Sequence, residues 1–225
     1  MPAKLKLAVL LSGSGTSLQN LIDRIEAGTL PAEIVAVVSS RADAYGLERA
    51  KMAGIPTAVV PSRDCRKNWD AHSAAVTAVL DRYKPGLIVL AGYMCLYKMP
   101  PQYQGRVMNV HPALIPAFCG HGLYGHIVHE KVIEYGVKVT GCTVHFADNQ
   151  YDHGPIILQR TVAVNDGDTP DTLAERVQAE ERGGYPEAIR LFAENRLRIE
   201  GTVVRVLPGV WRPTSYCGLP EPAFD

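Results

Sequence analysis

The chain lacks an excess of charge of either sign. Its 225 residues include 23 lysines and arginines and 23 aspartates and glutamates, so the formal net charge at pH 7 is zero. A protein that binds nucleic acid or an anionic membrane through a general field needs a surplus of basic residues. We therefore expect neither partner, and any anion that this chain binds must be held by a local site.

Paired cysteines and long apolar runs are also lacking. Five cysteines are scattered along the chain without a Cys-x-x-Cys pair, namely Cys65, Cys95, Cys119, Cys142 and Cys217. An odd, dispersed set is typical of thiols in a reducing compartment rather than of a disulfide framework or a zinc site. The most apolar run, Leu87–Tyr97, is far shorter than the roughly twenty residues of a membrane span. We expect a cytoplasmic protein.

Short apolar runs alternate with amphipathic stretches in the first half of the chain. Strands are predicted at Leu5–Leu11, Ile34–Val38, Pro56–Val60, Leu87–Leu90 and Val107–Val110, and helices at Thr16–Ala27, Tyr45–Ala53 and Lys67–Tyr83. Continuous apolar strands separated by helices are typical of a parallel sheet that is covered on both faces. The pattern predicts an open, mostly parallel, doubly wound α/β sheet of the Rossmann-like kind.

The second half of the chain has a different pattern. Two apolar strands, Val137–Phe146 and Pro155–Val164, are joined by a short polar segment and predict an antiparallel ribbon added to the sheet. A helix is predicted from Thr169 to Glu181, with a break at the following glycines and a second helix after Pro186. We expect residues 1–206 to form one domain and the proline-rich residues 207–225 to form an irregular tail.

A glycine-rich turn, Ser12–Ser17 (SGSGTS), follows the first strand and opens the first helix. Backbone N–H groups and the helix dipole attract an anion at such a place, which favours a phosphate, although a tight turn without a ligand would have the same pattern. The turn has no Walker Gly-Lys-Ser/Thr and lacks the third glycine of a dinucleotide fingerprint. Arg41 after the second strand favours a rival hypothesis, an NADP-dependent reductase, but no Tyr-x-x-x-Lys pair accompanies it.

Three polar residues follow apolar strands in a pattern that indicates acyl-group transfer. Asn109 and His111 end the fifth predicted strand, and Asp152 lies in the segment between the two ribbon strands. The amide can hold a carbonyl oxygen, the imidazole can protonate it, and the carboxylate can keep the imidazole cationic. Together with the glycine-rich turn, this trio predicts an enzyme that holds a phosphorylated substrate at one end of a cleft and acts on a carbonyl group at the other.

The remaining histidines leave two alternatives open. His121, His126 and His129 lie close together in the sequence and suggest a metal site, but they lack a cysteine or a His-Glu-x-x-His pattern. We expect no metal. His145 alternates with apolar residues on a strand, so it is either a hydrogen-bonded structural histidine or a residue that faces the cleft.

Seven segments in order make the sequence resemble the phosphoribosylglycinamide formyltransferases, the folate-dependent enzymes of purine synthesis, from about Leu7 to Leu207. These segments are Ser12–Thr16, Asp43–Arg49, Leu90–Met94, Asn109–Pro116, Gly141–Phe146, Asp152–Gln159 and Gln178–Glu181. The resemblance implies a formyltransferase fold, a transfer without a metal or a covalent intermediate, and 10-formyltetrahydrofolate as the formyl donor.

The resemblance also implies site residues. It makes Asn109, His111 and Asp152 the catalytic trio. The phosphoribosylglycinamide would be bound by Gly15, Thr16, Ser17, Gln178 and Glu181, and the folate by Arg66, Met94, Cys95, Leu96, Tyr97, Asn109, Asp148, Asn149, Gln150, Tyr151 and Asp152. Three residues depart from the family pattern: Ser17, Cys95 and Arg182 stand where asparagine, arginine and histidine are usual.

Relatives of the same fold formylate methionyl-tRNA or hydrolyse the formyl group. We expect neither activity, because a basic RNA-binding extension and an N-terminal regulatory domain are not evident, and a binding module without turnover would not need the trio. The expected partners are small molecules, and the chain is expected to be a monomer or a homodimer. The glycine-rich segment Cys119–Tyr124 is predicted to be a mobile flap over the ribonucleotide.

Overall fold

The computed structural model describes residues 4–62 and 68–208. Within them, nine strands form one sheet in the order β3-β2-β1-β4-β5-β6-β7-β9-β8. The strands are β1 (Leu5–Leu11), β2 (Ala32–Ser39), β3 (Thr57–Val59), β4 (Leu87–Leu90), β5 (Val107–His111), β6 (Val139–Phe146), β7 (Ile156–Ala163), β8 (Leu197–Glu200) and β9 (Val203–Val206). The helices are α1 (Thr16–Glu26), α2 (Tyr45–Met52), α3 (Trp69–Tyr83), α4 (His126–Tyr135) and α5 (Pro170–Ala193).

The direction of pairing divides the sheet into two parts. Strands β1 to β5 pair in parallel, whereas β6 pairs antiparallel with both β5 and β7. The predicted α/β sheet, mostly parallel with an antiparallel ribbon, is therefore confirmed. The antiparallel hairpin of β8 and β9, which joins the sheet through β7, was not predicted.

Helices cover both faces of the sheet because successive residues of each buried strand point to opposite sides. In β1, Leu7, Val9 and Leu11 pack with α1, α2 and the second half of α5. The alternate residues Ala8 and Leu10 pack with α3 on the other face. Burial on both sides explains why this strand is a continuous apolar run in the sequence.

The predicted break in the last helix is wrong, because α5 is continuous over 24 residues and contains Pro186. Proline has no N–H for the carbonyl group four residues earlier, which belongs to Arg182. The side-chain amide of Asn20 on α1 donates to that carbonyl oxygen at 3.0 Å. A donor from another helix therefore replaces the missing backbone donor, and the helix continues.

The two glycines before Pro186 have a packing role rather than a helix-ending role. A Cβ atom on Gly183 would come within 2.6 Å of a guanidinium nitrogen of Arg160, and one on Gly184 would crowd Leu158 and Arg160. Both neighbours belong to β7, so the glycines allow α5 to lie close to the ribbon. Arg160 in turn bonds Glu180 and Glu187 of the same helix.

Several other bounds differ from the sequence predictions. Helix α4 was not predicted, and α3 begins at Trp69, two residues later than expected.

The predicted folate ligand Arg66 and the chain beyond residue 208 lie outside the described residues. The division into a domain of residues 1–206 and a tail of residues 207–225 stays a prediction. None of the helices in the described part of the chain is long and apolar enough to cross a membrane.

One core histidine should make the fold sensitive to acid. His129 on α4 is 2% exposed, and its Nδ1 has no hydrogen-bond partner among the described residues. Burial, and then the charges of His126 and His111, lower its pKa from 6.5 to about 4. Between about pH 6.5 and pH 4, His129 is protonated in the unfolded chain but neutral in the folded chain. The free energy of unfolding should therefore fall as the pH drops through this range.

We expect this loss to be on the order of 1–3 kcal/mol and to disappear in His129→Leu. Urea unfolding at pH 7 and pH 4.5 measures it, with the exposed His121→Leu as the matched control. Equal acid slopes in wild type and His129→Leu would contradict this origin.

Candidate active site

The candidate site lies at the carboxyl ends of the parallel strands, where neighbouring connections leave the sheet in opposite directions. The order changes at β1, which has β2 on one side and β4 on the other. Such a switch point opens a crevice in which α/β proteins bind ligands. Ser12, at the end of β1, accepts a hydrogen bond from the Met94 backbone N–H and bonds the Ser40 hydroxyl, so its side chain joins the strand ends rather than facing a ligand.

The predicted trio is brought together at the end of β5. The amide nitrogen of Asn109 donates to Oδ1 of Asp152 at 3.2 Å, and Nδ1 of His111 lies 3.4 Å from Oδ2 of the same carboxylate. His111 is 3% exposed and the Asp152 side chain 11% exposed. An amide, an imidazole and a carboxylate thus meet in a site that is largely shielded from water.

Both ring nitrogens of His111 face acceptors. Nδ1 faces Asp152, and Nε2 lies 2.8 Å from the carbonyl oxygen of Phe118. A neutral imidazole has only one N–H, whereas the protonated ring donates from both nitrogens. Each ring nitrogen of His111 therefore has an oxygen within reach that can accept a hydrogen bond.

The backbone of the loop before β7 fixes the position of Asp152. Asp152 has a left-handed φ of 51°, and its Oδ2 also accepts from the Gly120 backbone N–H at 3.0 Å. A Cβ atom on Gly154 would overlap the Phe146 carbonyl oxygen. The loop can therefore pass this close to the end of β6 only with glycine at position 154.

His145 on β6 is a site residue that sequence reasoning left open. It is 1% exposed, its Nδ1 lies 3.0 Å from the Phe146 carbonyl oxygen, and its Nε2 lies 3.2 Å from the amide nitrogen of Asn109. Because a carbonyl oxygen only accepts, Nδ1 carries the proton and Nε2 accepts from Asn109. Burial lowers the pKa of His145 and favours this neutral form.

Both N–H groups of the Asn109 amide are thus directed at protein acceptors, His145 and Asp152. The two bonds are long, at 3.2 Å each, close to the upper limit for N–H···O and N–H···N geometry. Asn109 can donate to a substrate oxygen only by releasing one of them.

A second group of predicted residues lines a cleft between α1 and α5. Thr16 and Ser17 lie on one side and Gln178 and Glu181 on the other, and the remaining lining residues are Asn20, Arg182 and Tyr185. Gly15, with φ 73°, caps α1 and packs against Gly46, where a Cβ atom would clash. Helix α1 has no acidic residue in its first turn and no side-chain cap, so its free N–H groups and positive dipole end face the cleft.

The cleft and the trio are connected through Tyr185. Its hydroxyl is buried and lies within hydrogen-bond distance of the carbonyl oxygens of Leu90, the last residue of β4, and Met108, the second residue of β5. Met108 directly precedes Asn109 in the chain. Beside Tyr185, burial raises the pKa of the Glu181 carboxyl to about 7, an effect that the Arg182 charge partly opposes.

The two segments predicted for folate also meet. The Met99 backbone N–H donates to Oδ1 of Asn149 at 2.9 Å, which ties the segment after β4 to the loop that carries Asp152. Of the predicted residues after β4, Met94 is exposed and Leu96 partly exposed, whereas the side chains of Cys95 and Tyr97 are buried. Folate contacts by Cys95 and Tyr97 would therefore have to come from their backbones.

The loop residues have their own contacts. Asp148 accepts from the Gln150 backbone N–H and bonds His153, while Tyr151 lies edge-on to His121. Gln150 is exposed. Folate binding by this loop stays a prediction.

The residues that suggested a metal site or an NADP-dependent reductase have other contacts. His126 bonds Glu130 and Asp171, and His129 is buried on the inner face of α4, so the three neighbouring histidines do not converge. No group of three or more potential metal ligands is found among the described residues. Arg41 bonds both carboxylate oxygens of Asp43.

The Asn109–His145 contact should be measurable as a coupling energy. In a double-mutant cycle of Asn109→Ala and His145→Leu, we expect the two losses of unfolding free energy to be non-additive by about 1 kcal/mol, as for a buried hydrogen bond. Urea unfolding of the two single variants and the double variant gives this value. Asn109→Ala combined with Glu33→Ala, an exposed and distant site, should be additive, and additivity in both pairs would argue against the contact.

Comparison with known proteins agrees with this geometry. A family model described as formyl transferase matches residues 5–189. The phosphoribosylglycinamide formyltransferases of Haemophilus influenzae and Escherichia coli are 39% and 37% identical to the chain, each over 87% of the chain and 90% of the relative. The chain also matches trifunctional purine biosynthetic proteins, such as that of Bos taurus at 41% identity, but it spans only about a fifth (19%) of their length.

Solved structures give the same result. The glycinamide ribonucleotide transformylase 1 of Symbiobacterium toebii superposes with a TM-score of 0.84 at 44% identity, covering 92% of this chain and 96% of that one. A formyltetrahydrofolate deformylase of Pseudomonas syringae superposes with a TM-score of 0.81 at 24% identity over 92% of this chain and 67% of its own, a likeness of fold alone. The chain therefore belongs to the formyl transferase family, and its resemblance to the phosphoribosylglycinamide formyltransferases is confirmed.

Proposed function

We propose that this chain transfers the formyl group of 10-formyltetrahydrofolate to the amino group of phosphoribosylglycinamide, in purine synthesis. The observation that carries the proposal is the meeting of Asn109, His111 and Asp152 at the carboxyl end of β5, beside a cleft suited to an anion. The names of the relatives that match most of the chain at 37% identity or more support the choice of substrates. A cytoplasmic location and a monomeric or homodimeric state stay predictions.

The ribonucleotide would lie in the cleft between α1 and α5. Its phosphate suits the N-terminus of α1, where Gly15, Thr16 and Ser17 supply N–H groups and hydroxyls. We assign the binding of the ribose and the glycinamide to Gln178 and Glu181, which line the cleft from the facing helix. Because Tyr185 joins this cleft to β5 at the residue before Asn109, the amino group can extend from it towards the trio.

The reaction is an attack of the neutral amine on the formyl carbon. As the new C–N bond forms, the electrons of the carbonyl group move to oxygen, and protonated His111 donates a charge-assisted hydrogen bond to this oxyanion. Asn109 supplies a second N–H after releasing one of its two bonds. When the oxyanion collapses, the bond from carbon to the folate nitrogen breaks, and the proton lost by the amine passes to that nitrogen, carried by a water beside Asp152.

The Phe118 carbonyl oxygen occupies the position next to His111 that the formyl oxygen would take. It lies 2.8 Å from Nε2 of His111, which is the nitrogen that must bond the formyl oxygen if Nδ1 remains at Asp152. The neighbouring flap, Cys119–Tyr124, is held to Asp152 through the Gly120 N–H. Formyl transfer therefore requires the chain at Phe118 to withdraw from His111.

An absorbance assay tests the proposal directly. Tetrahydrofolate should form from 10-formyltetrahydrofolate only when phosphoribosylglycinamide is present. Turnover that does not depend on the amine would make the chain a hydrolase. Absence of turnover with tight folate binding would make it a binding module, and measurable binding of NADP would support the reductase hypothesis.

Variants of the trio should have interdependent effects on kcat. Asn109→Ala should lower kcat by about 10²–10³, the typical loss for an oxyanion donor. Asp152→Asn should lower kcat strongly with little change in substrate affinity, because the amide keeps the shape and loses the charge that supports His111. The double variant should lose less than the product of the two losses, since both residues serve one transition state.

Steady-state kinetics with both substrates gives these values. The exposed Asp166→Asn, which removes a surface ion pair with Lys138, is the matched control and should keep the wild-type kcat. Near-normal rates in folded trio variants would contradict the assignment.

Glu181 should make ribonucleotide binding depend on pH near neutrality. Its pKa of about 7 means that the carboxyl is neutral below this pH and charged above it. A charged carboxylate is the stronger acceptor for the ribose and amide groups. The KM for the ribonucleotide should therefore rise in wild type as the pH falls from 8 to 6, and less so in Glu181→Gln.

Ionisation of the substrate affects the KM of wild type and of Glu181→Gln equally, so it cancels in the ratio of the two KM values. This ratio should change about tenfold or less across pH 6 to 8, with its midpoint near pH 7. A ratio that is constant with pH would show that the ionisation of Glu181 does not affect binding.

A further inference from the structure

The charges of the cleft between α1 and α5 are few and of opposite sign. Among its lining residues, only Glu181 and Arg182 carry formal charge. Both belong to α5 and face the N-terminus of α1 across the cleft. A cation beside an anion-attracting helix end suits the charged group of a substrate.

The Arg182 guanidinium forms no ion pair within residues 4–62 and 68–208, although its charge acts on the neighbouring Glu181 carboxyl and partly opposes the rise that burial causes in the pKa of that group. The guanidinium also forms no hydrogen bond with another described residue. The other arginines of the same helix are occupied, because Arg176 bonds Asp168 and Arg190 bonds Glu194. An unpaired guanidinium at the cleft is therefore available to a ligand.

The backbone of Arg182 is fixed although its side chain is exposed. Its carbonyl group, which Pro186 leaves without a helical partner, accepts a hydrogen bond from the Asn20 side chain. Asn20 lies on the second turn of α1 and lines the same cleft. The root of the Arg182 side chain is therefore held next to the helix whose N-terminus faces the ligand.

The other cations near the glycine-rich turn are occupied. Arg49 donates to the Ser14 carbonyl oxygen and to Gln19, and its guanidinium lies over the Tyr45 ring. Arg41 bonds Asp43. The turn itself offers N–H groups and a partial positive charge, whereas a phosphomonoester carries a charge of about −1.5 to −2 at pH 7.

We propose that the guanidinium of Arg182 binds the phosphate of the phosphorylated substrate, which is thereby held between α5 and the N-terminus of α1. This inference rests on the proposed function for the identity of the substrate. It adds to that function a side chain that recognises the phosphate charge, so that Arg182 determines specificity for the phosphorylated acceptor over the unphosphorylated one.

The test compares Arg182→Gln and Arg182→Lys with two formyl acceptors, glycinamide ribonucleotide and the corresponding riboside without phosphate. In Arg182→Gln, kcat/KM for the ribonucleotide should fall about tenfold through KM. The value for the riboside should not change. Arg182→Lys should recover part of the loss, because it keeps the charge without the planar fork.

Arg190→Gln, which removes a partly exposed arginine that bonds Glu194 farther along α5, is the matched control and should behave as wild type. The KM of wild type for the ribonucleotide should rise with salt more steeply than that of Arg182→Gln, since salt screens an exposed ionic contact. Equal losses with both acceptors would assign Arg182 a structural role and overturn the proposal. An unchanged preference for the ribonucleotide would also overturn it.

A calorimetric titration with ribose 5-phosphate separates this proposal from the proposed function. Its Kd should be about tenfold weaker in Arg182→Gln than in wild type, whether or not the protein transfers a formyl group. If no acceptor is formylated while this difference is observed, the proposed function fails and the phosphate site stands. Equal Kd values in an active enzyme would overturn the role of Arg182 alone.

Discussion

The carboxylate of Asp152 is the interaction on which the rest of the site depends. Its two oxygens accept from Asn109 at the end of β5 and from the Gly120 backbone, and one of them faces His111. The strand, the segment at Gly120 and the loop are thereby held by one side chain that is 11% exposed. A buried acceptor with several donors is expensive to lose, because each donor would be left without a partner. The same group therefore has a structural role and supplies the charge next to His111.

Most of the fold could be predicted from the sequence because the first seven strands are short apolar runs separated by amphipathic helices or polar segments. The exceptions have non-local causes. Gly183, Gly184 and Pro186 locally indicate the end of a helix, yet α5 continues because Asn20, 162 positions away, bonds the carbonyl that the proline leaves free. The strands β8 and β9 have only four residues each, and charged residues interrupt their apolar ones, so neither is a clear apolar run; the hairpin joins the sheet through β7. Such compensation cannot be read from a local pattern.

The candidate site was predictable to the extent that it consists of side chains with characteristic chemistry. Asn109, His111 and Asp152 could be selected by residue type and by their position after strands, and the structure brings them together. The groups that orient these three side chains could not be predicted. Every residue has a backbone carbonyl and every residue except proline has a backbone N–H, so nothing in the sequence distinguishes those of Gly120 and Phe118. His145 has the same alternation as a core residue. The need for glycine at position 154 is likewise visible only in the structure, where a Cβ atom would overlap the Phe146 carbonyl oxygen.

The bond between His111 and the Phe118 carbonyl has a consequence for affinity. In the proposed reaction, the formyl donor competes for His111 with an oxygen that is already part of the protein and is present at a high effective concentration. Its apparent Kd is the intrinsic Kd divided by the fraction of molecules in which that internal oxygen is absent. Ligands that bind the cleft but stop short of His111 avoid this competition. A small molecule that does not reach His111 can therefore have an apparent Kd as low as that of a larger one that carries a carbonyl group. The preference for the full substrate would then appear in kcat rather than in Kd.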